Sequence, residues 1–105
     1  MRKADLTFEN GFKKKGLSNL LVHDCEFMKV LNFNFEPGQE LPVHNHDIEG
    51  ELTICVLEGE GEFLGADGAV IPAKFGDVLI SEIAEPHGFR ATTRVRLLVH
   101  IAPPI

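Results

Sequence analysis

"GQELPVHNHDIEGELTICVLEG", residues 38–59, holds most of what decides the reading of this chain. His44 and His46 are separated by one residue. An extended segment places every second side chain on one face, so the two imidazoles would project together. Imidazole suits zinc, iron, nickel and copper, and an added carboxylate widens the choice to manganese. An ordinary solvated polar loop explains the pair equally well on spacing alone. The following run, "ELTICVL" at 51–57, is rich in β-branched residues and reads as a strand. Leu52, Ile54 and Val56 share one face of it, and Cys55 and Leu57 the other.

Working outward, short apolar runs alternate with turn signals, the pattern of an all-β sandwich or barrel. "FMKVLNFNF", 27–35, places Leu31, Phe33 and Phe35 on one face and Asn32 and Asn34 on the other. "EPG" at 36–38 ends it. Gly59 and Gly61 are residues that can supply positive φ for a tight reversal. "GADG", 65–68, holds an Asp-Gly pair suited to a hairpin. "AVI" reads as a short strand closed by Pro72, and "VLIS", "HGFRA" and "VRLLVHIA" as the last three strands. Near the N-terminus, "DLTF" at 5–8 and "LSNLLVH" at 17–23 are two further candidates.

The 105 residues suit a single domain spanning 1–105. Sixteen acids against ten bases give a net charge of −6, which argues against a nucleic-acid partner. Lys13, Lys14 and Lys15 read as a solvated loop. No secretory signal or membrane-spanning run stands out, and Cys25 and Cys55 have no zinc-type spacing. A cytoplasmic protein with two buried thiols and no membrane partner is the expectation.

The longer-range spacing carries a resemblance. Gly38 is followed by five residues, His44, Asn45, His46, four residues, Glu51, a strand and Gly59. "GDVLISEIAEPHGFRA", 76–91, then keeps Gly76 and His87 in register with a second motif. Together these resemble the two motifs of the cupin superfamily, in its small single-domain (cupin type-2) form, with motif 1 at 38–59 and motif 2 at 76–91. Glu82, Ala84 and Ala91 depart from the second motif, where the family has proline, glycine and asparagine. None of these three is a metal ligand in the family. The resemblance implies a small jelly-roll β-barrel (a double-stranded β-helix). It also implies one divalent metal per chain, manganese, iron, nickel or zinc, held by His44, His46, Glu51 and His87. One residue more than usual separates Glu51 from Gly59. Counting back from Gly59 lands on Leu52. A β-bulge would return Glu51 to the inner face, and that arrangement is expected here. A regular strand would turn Glu51 away and leave three histidines, and Glu49 is a third option.

Other polar residues read more plainly. His23 and His100 match no motif position, and Phe89 reads as core. Arg90, Arg94 and Arg96 read as partners of surface acids. A metal-binding cupin with a small-molecule ligand in its barrel is the functional expectation. A dioxygenase, isomerase or decarboxylase is one form of it, and a non-catalytic binding or sensing module with a structural metal the other. The second apolar face of 51–57 calls for cover, by residues 1–23 or by a second subunit, so a homodimer is expected.

Overall fold

A computed structural model describes residues 1–105. A short helix, α1 (Leu6–Glu9), precedes nine strands: β1 (Ser18–Asp24), β2 (Lys29–Phe35), β3 (Glu40–His44), β4 (Glu51–Glu58), β5 (Glu60–Leu64), β6 (Val70–Lys74), β7 (Val78–Glu82), β8 (His87–Ala91) and β9 (Val95–Ala102). One antiparallel sheet has the order β1-β2-β9-β4-β7, the other β3-β8-β5-β6. After β2, every connection except the β5–β6 hairpin crosses between the sheets. That winding is the jelly roll expected from the sequence. No helix is long and apolar enough to cross a membrane.

Alternation builds the core. Across the larger sheet, Leu31, Val99 and Ile54 stand in one inward row, and Phe33, Leu97 and Val56 in the next. From the smaller sheet Phe63 and Phe89 pack inward, and Phe89 meets both Phe35 and Phe63 at centroid distances of 5.4 and 5.6 Å. The hairpin at Ala66–Gly68 uses its Asp-Gly pair as the sequence suggests, with φ of 56° at Asp67 and 76° at Gly68. Strand β6 extends through Pro72 instead of ending there. It lies at the edge of its sheet, where a missing N–H costs no ladder bond.

The N-terminal "DLTF" is helical, not a strand. Asp5 explains the difference. Its carboxylate accepts from the Phe8 N–H, and the Glu9 carboxylate reaches back to the Asp5 N–H at 2.8 Å. These reciprocal caps satisfy the first-turn donors that a strand would have paired elsewhere.

Beyond the helix, the chain folds onto the outer face of its own larger sheet. Asn32 and Asn34, on the face opposite Leu31 and Phe33, are wholly buried beneath it. Asn10 donates to Asn32 at 2.8 Å and accepts from the Ser18 hydroxyl at 2.6 Å. Asn32 donates to Asn34 and to the Leu97 carbonyl, both at 2.9 Å. Asn34 donates to the carbonyls of Asn10 and Gly11. Arg94 and Arg96 lie over the Phe12 ring at 4.5 and 5.1 Å. Polar alternation in β2 therefore marks a second buried layer. No buried side-chain nitrogen or oxygen is left without a partner. Replacing Asn32 by Ala strands the Asn10 amide and the Asn34 side-chain oxygen, each an orphan costing about 1–3 kcal/mol. Chemical denaturation should show a loss of that order, and amide exchange of residues 5–12 should quicken.

Candidate functional site

Strands β3 and β8 pair antiparallel with His44 directly opposite His87. The pairing slips between Leu41 and His44, so Pro42 and Val43 bulge as the strand approaches His44. Gly88 permits this. A Cβ there would lie 2.6 Å from the Leu41 carbonyl oxygen and 2.9 Å from the Val43 nitrogen. His46 lies just past the end of β3. Its N–H donates to the Ile83 carbonyl at 3.1 Å, and the Asn45 amide donates to Ala84 at 3.0 Å. The loop after β3 is thereby pinned to the loop before β8.

The result brings His44, His46 and His87 together on the wall of one cavity of 430 Å³. The His44 ring lies 4.6 Å from that of His87 and 5.5 Å from that of His46, both edge to face. His87 is buried, His44 half-buried and His46 exposed. The His44 Nδ1–H donates to the Pro42 carbonyl at 2.8 Å and the His87 Nδ1–H to that of Glu85 at 2.6 Å. A carbonyl only accepts, so the proton of each neutral ring is on Nδ1 and its lone pair is on Nε2. Desolvation holds the His87 pKa below the ordinary histidine value, with His44 and His46 nearby acting in the same direction against the Glu85 hydrogen bond. The neutral, lone-pair-bearing form is favoured. Even so, no three histidine, cysteine, aspartate or glutamate side chains are gathered as they stand into a group that would hold a metal ion.

Glu51 is not among the cavity residues. Its side chain is exposed on the outer face, and its cross-strand neighbours are Glu82 and Ala102. Leu52 takes the inward place at 3% exposure. A bulge does occur in β4, between Val56 and Glu58, but it lies downstream and leaves 51–56 regular. The four-ligand set implied by the resemblance is therefore not assembled. The reason is hydrophobic. An inward Glu51 would require Leu52, Ile54 and Val56 to face outward together. Glu49 is exposed and also outside the cavity wall.

The remaining polar residues fall largely as read. Phe89 is core, and Arg90, Arg94 and Arg96 pair with Glu40 and Glu62, with Glu36, and with Glu58. His23 meets Arg2 at 3.4 Å, and His100 meets Thr53 at 3.4 Å on the outer face. Cys25 and Cys55 are free thiols, half-buried rather than buried. Lys29 was passed over in the sequence, yet it lines the cavity with the histidines. Its signal was available: it keeps the parity of Leu31, Phe33 and Phe35 on the inward face of β2.

The neighbouring pair 51 and 52 tests this register. Leu52→Ala should cost about 2–5 kcal/mol of unfolding free energy. Glu51→Gln should leave stability unchanged or slightly raised, because it relieves a like-charge pair with Glu82. Urea denaturation of the two variants distinguishes the faces, and equal losses would mean that both side chains are buried.

Comparison with known proteins agrees with this architecture. Residues 31–101 match the model of the Cupin domain family. The structure of an RmlC-like cupin protein from Desulfovibrio desulfuricans superposes with a TM-score of 0.96 at 52% identity, over 100% of this chain and 99% of that one. A conserved protein with a double-stranded β-helix domain from Klebsiella pneumoniae gives 0.89 at 24% identity, over 98% and 90%. The polyketide cyclase RemF from Streptomyces resistomycificus gives 0.78 at 24% identity, over 97% and 79%. At 24% identity the likeness is one of fold. No match is found among curated proteins. From the family match and the close similarity to the Desulfovibrio protein, the chain belongs to the cupin family.

Proposed function

We propose that this chain is a three-histidine cupin that binds one divalent ion per chain through His44, His46 and His87 and takes a small molecule in the cavity beside it. The observation that carries the reading is the meeting of these three rings on one cavity wall, two of them anchored through Nδ1 to backbone carbonyls. Metal-binding histidines commonly donate their second nitrogen in this way. The donor set is neutral and all-nitrogen, which suits nickel, zinc or iron better than manganese. A bound ion would supply Lewis acidity at the cavity wall. The cavity wall contains no aspartate, glutamate, serine, threonine, tyrosine or cysteine, so its proton-transfer groups are the histidines and Lys29. RemF, of the same fold, is a polyketide cyclase. Fold alone does not carry an activity across.

A second reading, a ligand-binding barrel without metal, is favoured by one observation: the donor atoms are not drawn together as they stand. Metal titration separates the two. On the first reading the protein takes up about one nickel or zinc per chain. His87→Ala then weakens uptake by tenfold or more, on the order of the effects seen around metal sites. Glu51→Gln and Glu49→Gln leave it unchanged. A protein that takes up neither ion supports the second reading.

The outer face supports a homodimer. Residues 10–12 cover β2 and the adjoining part of β9, whereas Val78 and Ile80 of β7 remain 52% and 71% exposed beside the half-buried Cys55. Only 22 of 105 residues are buried in the single chain. A short chain gains most by burying such a face against a second copy of itself. Light scattering should report a particle of twice 11.6 kDa, and Ile80→Lys should shift it to the monomer.

A further inference from the structure

Each sheet ends on two edge strands, β1 and β7 in the larger and β3 and β6 in the smaller. An open edge is a template for another strand, and proteins blunt it with bulges, prolines and charges. Three of these edges are blunted. β1 breaks register between Leu21 and His23, β3 breaks register around Pro42, and β6 carries Pro72 and Lys74. β7 differs. Its pairing with β4 runs unbroken from Val78 to Glu82, and it contains no proline and no base. Its one charge, Glu82, stands at the end.

The backbone bonds define what this edge offers. The Ile83 N–H donates to the Gly50 carbonyl, and the Val56 N–H to that of Asp77. Alternation between those bonds turns the backbone groups of Leu79 and Ser81 toward β4, and those of Val78 and Ile80 to the open side. The Glu82 carbonyl, also on that side, accepts from the Ser81 hydroxyl and the Glu85 N–H. No turn or loop takes up the groups of Val78 and Ile80. On the inner side, a groove of 240 Å³ separates Leu79 from Phe63 and Ile71 of the other sheet.

We propose that β7 pairs antiparallel with β7 of a second copy, about a two-fold axis at Leu79, joining the two five-stranded sheets into one. The inference rests on the reading of the chain as a homodimer, and it names the surface that joins the copies. Val78 meets the partner's Ile80 as a hydrogen-bonded pair, repeated by the symmetry, and each pair exchanges both N–H···O bonds. The same pairs set apolar side chains opposite one another on the outer face. Leu79 meets the partner's Leu79 on the inner side, where the groove receives them. The charges are complementary. Glu51 and Glu82 are cross-strand neighbours that no salt bridge compensates. The pairing puts Glu82 opposite the partner's Gly76, in the turn that carries Lys74, whose side chain is 74% exposed. Asp77 falls opposite the partner's Ser81, so no acid faces an acid. A second copy supplies this match at both ends of the edge at once.

The test is NMR of the full chain, mixed from isotope-labelled and unlabelled protein. Isotope-filtered spectra should show a contact between the Leu79 Hα of one copy and that of the other, because the Cα atoms of such a pair lie about 4.5 Å apart. Two variants separate edge pairing from packing of the outer face. Ile80→Pro removes an N–H that β4 does not use, whereas Ile80→Ala keeps it and trims the side chain. The dimer Kd of Ile80→Pro should exceed that of Ile80→Ala by about tenfold or more, since the symmetry deletes two hydrogen bonds. A dimer without the Leu79 contact overturns edge pairing and leaves the homodimer standing. Equal weakening by the two variants also overturns it. A particle of 11.6 kDa overturns the homodimer itself and edge pairing with it. If Ile80→Pro fails to fold, the wild-type contact decides.

Discussion

The register of β4 against β9 is the constraint on which the site depends. Leu52 faces Ile101, Ile54 faces Val99 and Val56 faces Leu97, and all six are buried. Burying one such side chain is worth about 1.5–3 kcal/mol, so a one-residue slip would forfeit several times that amount. No single coordinate bond from Glu51 is available to offset it during folding, before any ion is bound. The apolar residues therefore choose the face, and the carboxylate follows them outward. The composition of the cavity, histidines and lysine without an acid, results from a decision made by leucine, isoleucine and valine.

The same reasoning separates what was legible in the sequence from what was not. The strands were legible because alternation is a local property, and His44, His46 and His87 were legible because their spacing is read in a single dimension. The inward place of Leu52 was one of the alternatives left open by counting from Gly59. Its resolution depended on a bulge whose location, at Val56–Glu58, is set by pairing with Arg96. Pairing partners distant in sequence are not visible in a local pattern. The burial of the β2 asparagines was not legible for a related reason. Alternation correctly put them on the opposite face, but the cover supplied by Asn10 comes from 22 residues earlier in the chain.

That cover gives the two faces of the larger sheet different chemistry. Inside, apolar side chains do the packing and tolerate change of shape. Outside, beneath the N-terminal segment, the contacts are amide hydrogen bonds with fixed donors and acceptors. A hydrogen-bonded layer permits little sliding, because displacing one amide strands several partners together. Asn32 also donates to the Leu97 carbonyl, so the outer network fixes the neighbouring strand β9 in register with β2. The register of β9 in turn presents Val99 and Ile101 to the cavity.

On the opposite wall the position of the histidines depends on the absence of a side chain. Gly88 follows His87, and the bulged Pro42–Val43 backbone lies where its Cβ would be. Any larger residue would push β3 away from β8 and carry His44 away from His87, with no change in either histidine. Gly50 acts similarly at the other end of the loop. A Cβ there would lie 2.4 Å from the Ala102 carbonyl oxygen and 2.8 Å from the Ile83 side chain, the residue whose carbonyl anchors His46. Its φ of 143° also lies where other residues are strained. Two glycines thus hold the loop of His44 and His46 against the β8 end of the barrel. The proximity of the three rings is a property of backbone approach before it is one of imidazole chemistry.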